Sequence, residues 1–161
     1  MSSTLIKNGL IVDGSGELPY LGSLLIENNK ISKVSKEEIV GNFDNVIDAK
    51  GKVVTPGFID IHRHCDAKPL NSKTFADCML LQGITSTVVG NCGISMTPTP
   101  KNLEDAKAMY SFHEPVLGPI EAGLATTYDD YLAALEKVEM PLNFASMIGF
   151  GSLKISIKNF Y

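Results

Sequence analysis

Residues 55–64 read TPGFIDIHRH, and this stretch decides which fold the rest of the sequence is expected to form. The apolar run from Phe58 predicts a strand through His62, and His64 follows two residues later. Side chains at i and i+2 of a strand project from the same face, so both imidazoles can reach one metal ion at about 2.0–2.1 Å. The pair therefore indicates a metal site at the carboxyl end of a strand. The alternative that stays open is two surface or packing histidines at an ordinary strand end.

Downstream of this stretch, strands alternate with helical stretches. Each helix shows apolar residues at helical spacing, and each strand is short and rich in β-branched or apolar residues. The predicted elements are a helix over 72–82 ending at Gly83, a strand over 84–89, helices over 103–109 and 127–138, and a strand over 143–148. Strand–helix alternation of this kind is typical of an α/β fold with a parallel sheet.

Upstream, the first 54 residues read as short strands joined by tight turns. Asn28-Asn29 tolerates positive φ between two apolar runs, which predicts a hairpin. Asn8-Gly9 and the segment 49–51 are further turn signals. We expect a small antiparallel β module over residues 1–54 and a separate α/β part over 55–161.

Cys92 lies in the sequence GNCG, directly after the predicted strand 84–89. Its thiol is therefore expected at the same sheet edge as His62 and His64, where a metal would hold it as thiolate. The alternative for a lone cysteine is a small buried hydrophobe. Cys78 is assigned that buried role, facing Phe75 and Leu81. Cys65 is a possible competing ligand whose side chain should alternate away from the histidines.

Asp60 has the same strand parity as His62 and His64. It is interpreted either as a partner for a ligating imidazole N–H or as an anchor of the strand end. Asp66 continues that parity into the loop and is less constrained. His113 precedes a proline and is expected in a loop, with substrate contact as the alternative. The sequence contains neither a glycine-rich phosphate loop nor a G-x-S-x-G element.

The composition excludes several classes of function. The chain has 161 residues, 14 Lys plus Arg and 18 Asp plus Glu, giving a net charge of −4. No basic excess favours nucleic acid or an anionic membrane, and no apolar run approaches the ~18 residues of a spanning helix. Three cysteines at irregular spacing argue against a disulfide framework. We expect a cytoplasmic protein with no nucleic-acid or membrane partner.

The motif order carries a resemblance to a known family. The β module, VTPGFIDIHRH over 54–64 and QGITSTVVGNCGIS over 82–95 together resemble the metal-dependent amidohydrolase superfamily. Within it the sequence is most similar to the N-acyl-D-amino-acid deacylases, or D-aminoacylases. The PGFID-H-x-H element is shared across the superfamily, whereas GNCGIS after GITSTVVG is more specific. The likeness covers about residues 5–154, the opening part of such an enzyme.

The resemblance implies a zinc-bearing (β/α)₈ TIM barrel beside a small β-sandwich. It assigns His62, His64 and Cys92 as zinc ligands, and it implies hydrolysis of an N-acyl-D-amino acid to a carboxylate and a D-amino acid. The general acid/base aspartate of that family is expected beyond residue 161. Phe150 stands where the family's motif usually carries a histidine. Residues 155–161 are less similar to the family.

Length then becomes a constraint on this implied fold. A complete barrel needs about 250 residues, whereas residues 55–161 suit about three βα units. We therefore expect an incomplete sandwich and barrel, with little activity alone and an exposed sheet edge prone to association. A C-terminal complementing segment is the expected partner that would complete them. The open alternatives are a dihydroorotase- or hydantoinase-like amidohydrolase and a noncatalytic metal- or partner-binding remnant.

Overall fold

The computed structural model describes residues 2–120 and 125–157. Contacts divide the chain into two units, with the boundary between Pro56 and Gly57. The two predicted parts of the chain begin at residue 1 and end at residue 161, and both of these residues lie outside the described ranges.

The first unit is a five-stranded sheet in which β1 pairs with β2, β4 and β5. Its order is β3-β2-β1-β4, and β5 also pairs with β1. The pairs β1–β2 and β2–β3 are antiparallel, whereas β4 and β5 run parallel to β1. The strands are β1 (Ser3–Ile11), β2 (Tyr20–Glu27), β3 (Lys30–Ser35), β4 (Asn45–Asp48) and β5 (Val53–Val54).

The prediction of a wholly antiparallel module is therefore wrong for β4 and β5. Asp44 gives the physical reason, because its Oδ2 accepts hydrogen bonds from the backbone N–H and hydroxyl of Ser3 at 2.7 and 2.8 Å. These bonds fix the start of β4 beside the start of β1. The two strands consequently run in the same direction.

The predicted hairpin turn at Asn28-Asn29 is confirmed. Both residues have positive φ, 49° and 65°, between the antiparallel strands β2 and β3. Asn8 also has positive φ, but β1 continues through it with a register shift between Ile6 and Gly9. The expected turn at this position is thus a bulge inside one strand.

The second unit is a three-stranded parallel sheet, order β6-β7-β8, with helices in the connections. The predicted strand–helix alternation and parallel pairing are confirmed. The elements are β6 (Phe58–Asp60), α1 (Lys68–Asn71), α2 (Asp77–Leu80), β7 (Ile84–Val89), α3 (Leu103–Leu117), α4 (Tyr128–Leu135), β8 (Asn143–Ser146) and α5 (Phe150–Ser156).

The helix predicted over 72–82 is wrong in extent. Ser72 is extended, with φ −148° and ψ 124°, and its hydroxyl accepts the Thr74 N–H, which leaves only the short α2 in this region. Met79 is buried. Cys78 and Leu80, however, are exposed, so the buried role assigned to Cys78 is wrong.

Helix α3 is longer than predicted and includes His113. Met109, Tyr110, His113 and Leu117 are all buried, a helical spacing that continues the apolar face beyond the predicted end at residue 109. Pro115 is tolerated because it lies in the last turn, where its missing N–H interrupts one hydrogen bond near the helix end. The prediction of a loop at His113 is therefore wrong.

Two apolar clusters form the core of the second unit. One joins residues from α3 and α4 with Met96 and Ala125, and the other surrounds Val89 of β7. The second cluster includes Cys65, whose side chain thus points away from the sheet edge, as expected. Within the described ranges 2–120 and 125–157, no helix combines the length and apolar character needed to cross a bilayer.

Candidate metal centre

The two histidines of the HRH sequence lie in a turn just beyond β6. The strand ends at Asp60, so its predicted extension to His62 is wrong. Asp60 holds the turn: its Oδ1 accepts the His62 N–H at 3.1 Å, and its Oδ2 accepts from Arg63 Nε at 2.7 Å. The guanidinium of Arg63 lowers the pKa of Asp60, with the His62 N–H acting in the same direction. Asp60 is thus ionised at neutral pH and anchors this turn.

His62, His64 and Cys92 come together at the carboxyl ends of β6 and β7. Each offers one ligand atom, and the three atoms lie within 4.8 Å of one another. His62 Nε2 is 3.2 Å from Cys92 Sγ. The two imidazole rings meet edge to face, with centroids 5.6 Å apart. Among the described residues no carboxylate joins this set.

The distance between His62 Nε2 and Cys92 Sγ fits one tetrahedral zinc ion. Zinc lies about 2.1 Å from histidine nitrogen and about 2.3 Å from cysteine sulfur, which places the nitrogen and sulfur of a tetrahedral centre roughly 3.5 Å apart. The observed 3.2 Å separation is close to that value. Two imidazoles and a thiolate also form a donor set that zinc favours.

His64 adds an independent observation. Its Nδ1 is buried and has no hydrogen-bond partner among the described residues. Buried ring nitrogens normally have a partner, and a bound ion would supply one. Burial lowers the pKa of His64, and the nearby His62 acts in the same direction. The imidazole is therefore neutral at neutral pH, the form that binds metal.

Cys92 has an unusual backbone conformation. Its φ is 56°, in the left-handed region that non-glycine residues adopt at a cost of about 1–3 kcal/mol. The side chain of Asn91 braces the loop on one side, donating to the carbonyls of Val88 and Arg63 at 2.9 and 3.3 Å. The sequence places Cys92 at the correct sheet edge but does not show this conformation.

The other candidate residues lie outside the cluster. Burial raises the pKa of Cys65 to about 12, with Asp66 adding to the effect, so this thiol stays protonated. Asp66 is fully buried, and burial raises its pKa to about 6. His113 is buried within α3, and Cys78 is exposed on α2. None of these four belongs to the ligand set.

Reasoning from sequence missed Asn91, Ser95 and Ser152, which hold the loop that carries Cys92. Asn91 braces it from the β7 side, whereas the two serines exchange hydrogen bonds between this loop and α5. The available signal was a run of small and polar residues on both sides of Cys92. Such a run marks a tight loop but does not identify its partners.

Comparisons with known proteins agree on one family. A model of the amidohydrolase family matches residues 45–156. The N-acyl-D-glutamate deacylase of Alcaligenes xylosoxydans xylosoxydans is 32% identical over 152 residues, covering 94% of this chain. That alignment spans only 29% of the relative, so the chain corresponds to less than a third of its length.

Two solved structures give the same result. A zinc complex of N-acyl-D-glutamate deacylase from Bordetella bronchiseptica, bound to a phosphonate mimic of the tetrahedral intermediate, matches with a TM-score of 0.77 and 29% identity. A D-aminoacylase structure with a binuclear metal centre matches with a TM-score of 0.76 and 29% identity. The matches cover 95% and 96% of this chain but 30% and 31% of those proteins.

Proposed function

Because the chain belongs to the amidohydrolase family, we propose that His62, His64 and Cys92 bind zinc in an enzyme that hydrolyses N-acyl-D-amino acids. The observation that carries the proposal is the approach of His62 Nε2 to Cys92 Sγ at 3.2 Å, beside His64, whose buried Nδ1 has no partner among the described residues. The deacylase relatives supply the substrate class.

The chain's own residues have defined tasks in this proposal. His62 and His64 bind as neutral imidazoles, and Cys92 binds as thiolate, so the three ligands together contribute one negative charge. Asp60 and Arg63 hold the turn that presents the imidazoles. A bound zinc ion supplies Lewis-acid polarisation of the acyl carbonyl and a lowered pKa for its water.

The reaction is hydrolysis of one amide bond. Water adds its oxygen to the acyl carbon, the C–N bond breaks, and the amine nitrogen receives a proton, which yields a carboxylate and a D-amino acid. The proton needs a general acid/base group. We assign that role to a carboxylate in the part of the deacylase relatives that this chain does not span.

Metal analysis tests the site directly. We expect the full chain to bind about one equivalent of zinc per three-ligand site and Cys92→Ala to lose most of it, because two imidazoles alone bind zinc weakly. Cys78→Ala is the matched control, since this exposed thiol lies outside the cluster, and it should keep the zinc. Equal zinc content in Cys92→Ala and the parent chain would contradict the assignment and favour a hydantoinase-like site without this cysteine.

Substrate class is tested with N-acetyl-D-glutamate and its L-enantiomer as the matched control. The zinc-loaded chain, mixed with the C-terminal segment of the deacylase relative, should release glutamate only from the D-substrate, and the chain alone should release little. Release from both enantiomers at similar rates would contradict the substrate class. Absence of both zinc binding and hydrolysis would favour a noncatalytic remnant.

A further inference from the structure

A buried pair of serines joins the loop after β7 to the start of α5. Ser95 and Ser152 are 2% and 0% exposed. The Ser95 N–H donates to Ser152 Oγ at 2.9 Å, and the Ser152 hydroxyl donates back to the Ser95 carbonyl at 3.0 Å. Because water does not reach either group, removing the Ser152 hydroxyl leaves both a donor and an acceptor without a partner.

Three more hydrogen bonds extend this pair. The Ser95 hydroxyl accepts the Gly149 N–H at 2.9 Å and donates to the Thr97 carbonyl. The Ser152 N–H donates to the Gly93 carbonyl at 3.1 Å. Gly93 directly follows Cys92 in the chain. The serine network thus fixes the backbone immediately on the C-terminal side of the proposed ligand.

The two segments are also in direct backbone contact. A Cβ atom on Gly149 would lie 2.5 Å from the carbonyl carbon of Gly93, closer than any real Cβ contact. Glycine at this position therefore lets the start of α5 rest on the cysteine loop. Ser95 and Ser152 form their hydrogen bonds to Gly149 and Gly93 at this close contact.

Cys92 needs restraint from both sides. Its left-handed backbone is disfavoured for a non-glycine residue, and it persists only where surrounding contacts hold it. Asn91 provides the restraint on the β7 side. A return of Cys92 to an ordinary backbone conformation would redirect its side chain away from His62 Nε2, now 3.2 Å from the sulfur.

We propose that Ser95 and Ser152 are positioning residues for the metal site, holding Cys92 in the conformation that presents its sulfur to the ion shared with His62 and His64. This inference rests on the proposed function, because it takes Cys92 as a ligand. The serines act through the loop and do not contact the metal themselves.

Cobalt titration of the full chain tests the inference, because thiolate-to-cobalt charge-transfer absorption reports the Cys92–metal bond itself. We expect Ser152→Ala and Ser95→Ala to bind Co²⁺ roughly 10- to 100-fold more weakly than the parent chain, the range found for residues that orient metal ligands. Their charge-transfer band per bound ion should also weaken. Ser156→Ala is the matched control, since the hydroxyl of this half-buried α5 serine bonds only to the Leu153 carbonyl among the described residues, and the affinity of this variant should change by less than about twofold.

The outcomes separate this inference from the proposed function. If the parent chain itself gives no charge-transfer band, the proposed metal site fails, whatever the serine variants do. If the parent binds Co²⁺ and both serine variants match its affinity and its band, the positioning role is overturned. Loss of far-ultraviolet circular dichroism in both metal-free serine variants would also contradict it, since the serines would then determine folding rather than the position of Cys92.

Discussion

His113 is a buried imidazole that the proposed chemistry does not use. It is 1% exposed within α3, its Nδ1 has no partner among the described residues, and its ring contacts that of Phe112. Burial lowers its pKa. The ring is therefore neutral in the folded protein over a pH range in which the unfolded chain is already protonated.

This difference predicts a pH-dependent stability. The unfolded chain binds a proton at His113 below pH about 6.5, whereas the folded chain does so only at lower pH, so the contribution of His113 to stability is complete above pH 6.5 and falls as the pH decreases. Each unit of difference between the folded and unfolded pKa values changes the free energy of unfolding by about 1.4 kcal/mol.

His113→Leu should remove the contribution of His113 to the slope of unfolding free energy against pH. The measurement is urea denaturation of both chains between pH 7.5 and 5 (roughly one unit either side of the free imidazole pKa), and the informative quantity is the difference between the two slopes. His64 also has a lowered pKa, but it is present in both chains and cancels. Parallel curves for the two chains would contradict the assignment of the slope to His113.

At the same scale, the three residues of the candidate metal cluster could be selected from the sequence, but their geometry could not. His62, His64 and Cys92 follow short β-branched or apolar strands, and parallel strands bring their carboxyl ends to one edge. The histidines nevertheless lie in a turn held by Asp60, and Cys92 depends on hydrogen bonds to residues as distant in sequence as Ser152. Such long-range polar contacts leave no periodic pattern in the sequence.

Among the elements, α4 shows how a local signal specifies structure. The Thr127 hydroxyl accepts the Asp130 N–H at 3.1 Å, while Asp130 Oδ2 accepts the Thr127 N–H at 3.0 Å. In the sequence, Thr126 or Thr127 followed three residues later by Asp129 or Asp130 predicts such a capping box, and the structure forms it between Thr127 and Asp130. Because both partners lie within one turn, no tertiary information is needed to recognise it.

Removing this cap should destabilise the second unit. Thr127→Ala leaves the Asp130 N–H without its acceptor, so we expect a loss of about 1 kcal/mol in the free energy of unfolding. Thr127→Ser keeps the hydroxyl and is the matched control, expected to remain close to the parent chain. The measurement is chemical denaturation followed by far-ultraviolet circular dichroism. An equal loss in the serine and alanine variants would assign the effect to the threonine methyl group instead.

Elements that depend on tertiary burial were predicted less well. Helix α3 extends to Leu117 because buried residues continue its apolar face past the sequence-based end, and Pro115 alone did not stop it. The opposite error occurs in the region 72–82, where apolar spacing predicts a helix longer than the observed α2. There the Ser72 hydroxyl accepts the Thr74 N–H, and this local hydrogen bond shortens the helix. Local competition and distant packing thus account for the two errors in helix length.

On the scale of the whole molecule, the parallel sheet of the second unit has open edges. Among the described strands, β6 and β8 each pair with β7 and with no other strand. Parallel sheets are normally covered and closed by further elements. Ile59 on β6 and Ile61 just beyond it are 66% and 71% exposed. An exposed edge carrying apolar side chains promotes pairing with another chain.

We therefore predict that the chain self-associates through β6. Its mass in sedimentation or light-scattering measurements should rise with protein concentration, and Ile59→Lys should suppress that rise because a charged side chain on an edge strand opposes strand addition. Leu18→Lys is the matched control: Leu18 is 86% exposed but lies between β1 and β2, outside any strand, so this change should leave association intact. Equal suppression by both variants would mean that general apolar exposure, rather than the open edge of β6, drives association. A monomer at all concentrations would contradict the prediction altogether.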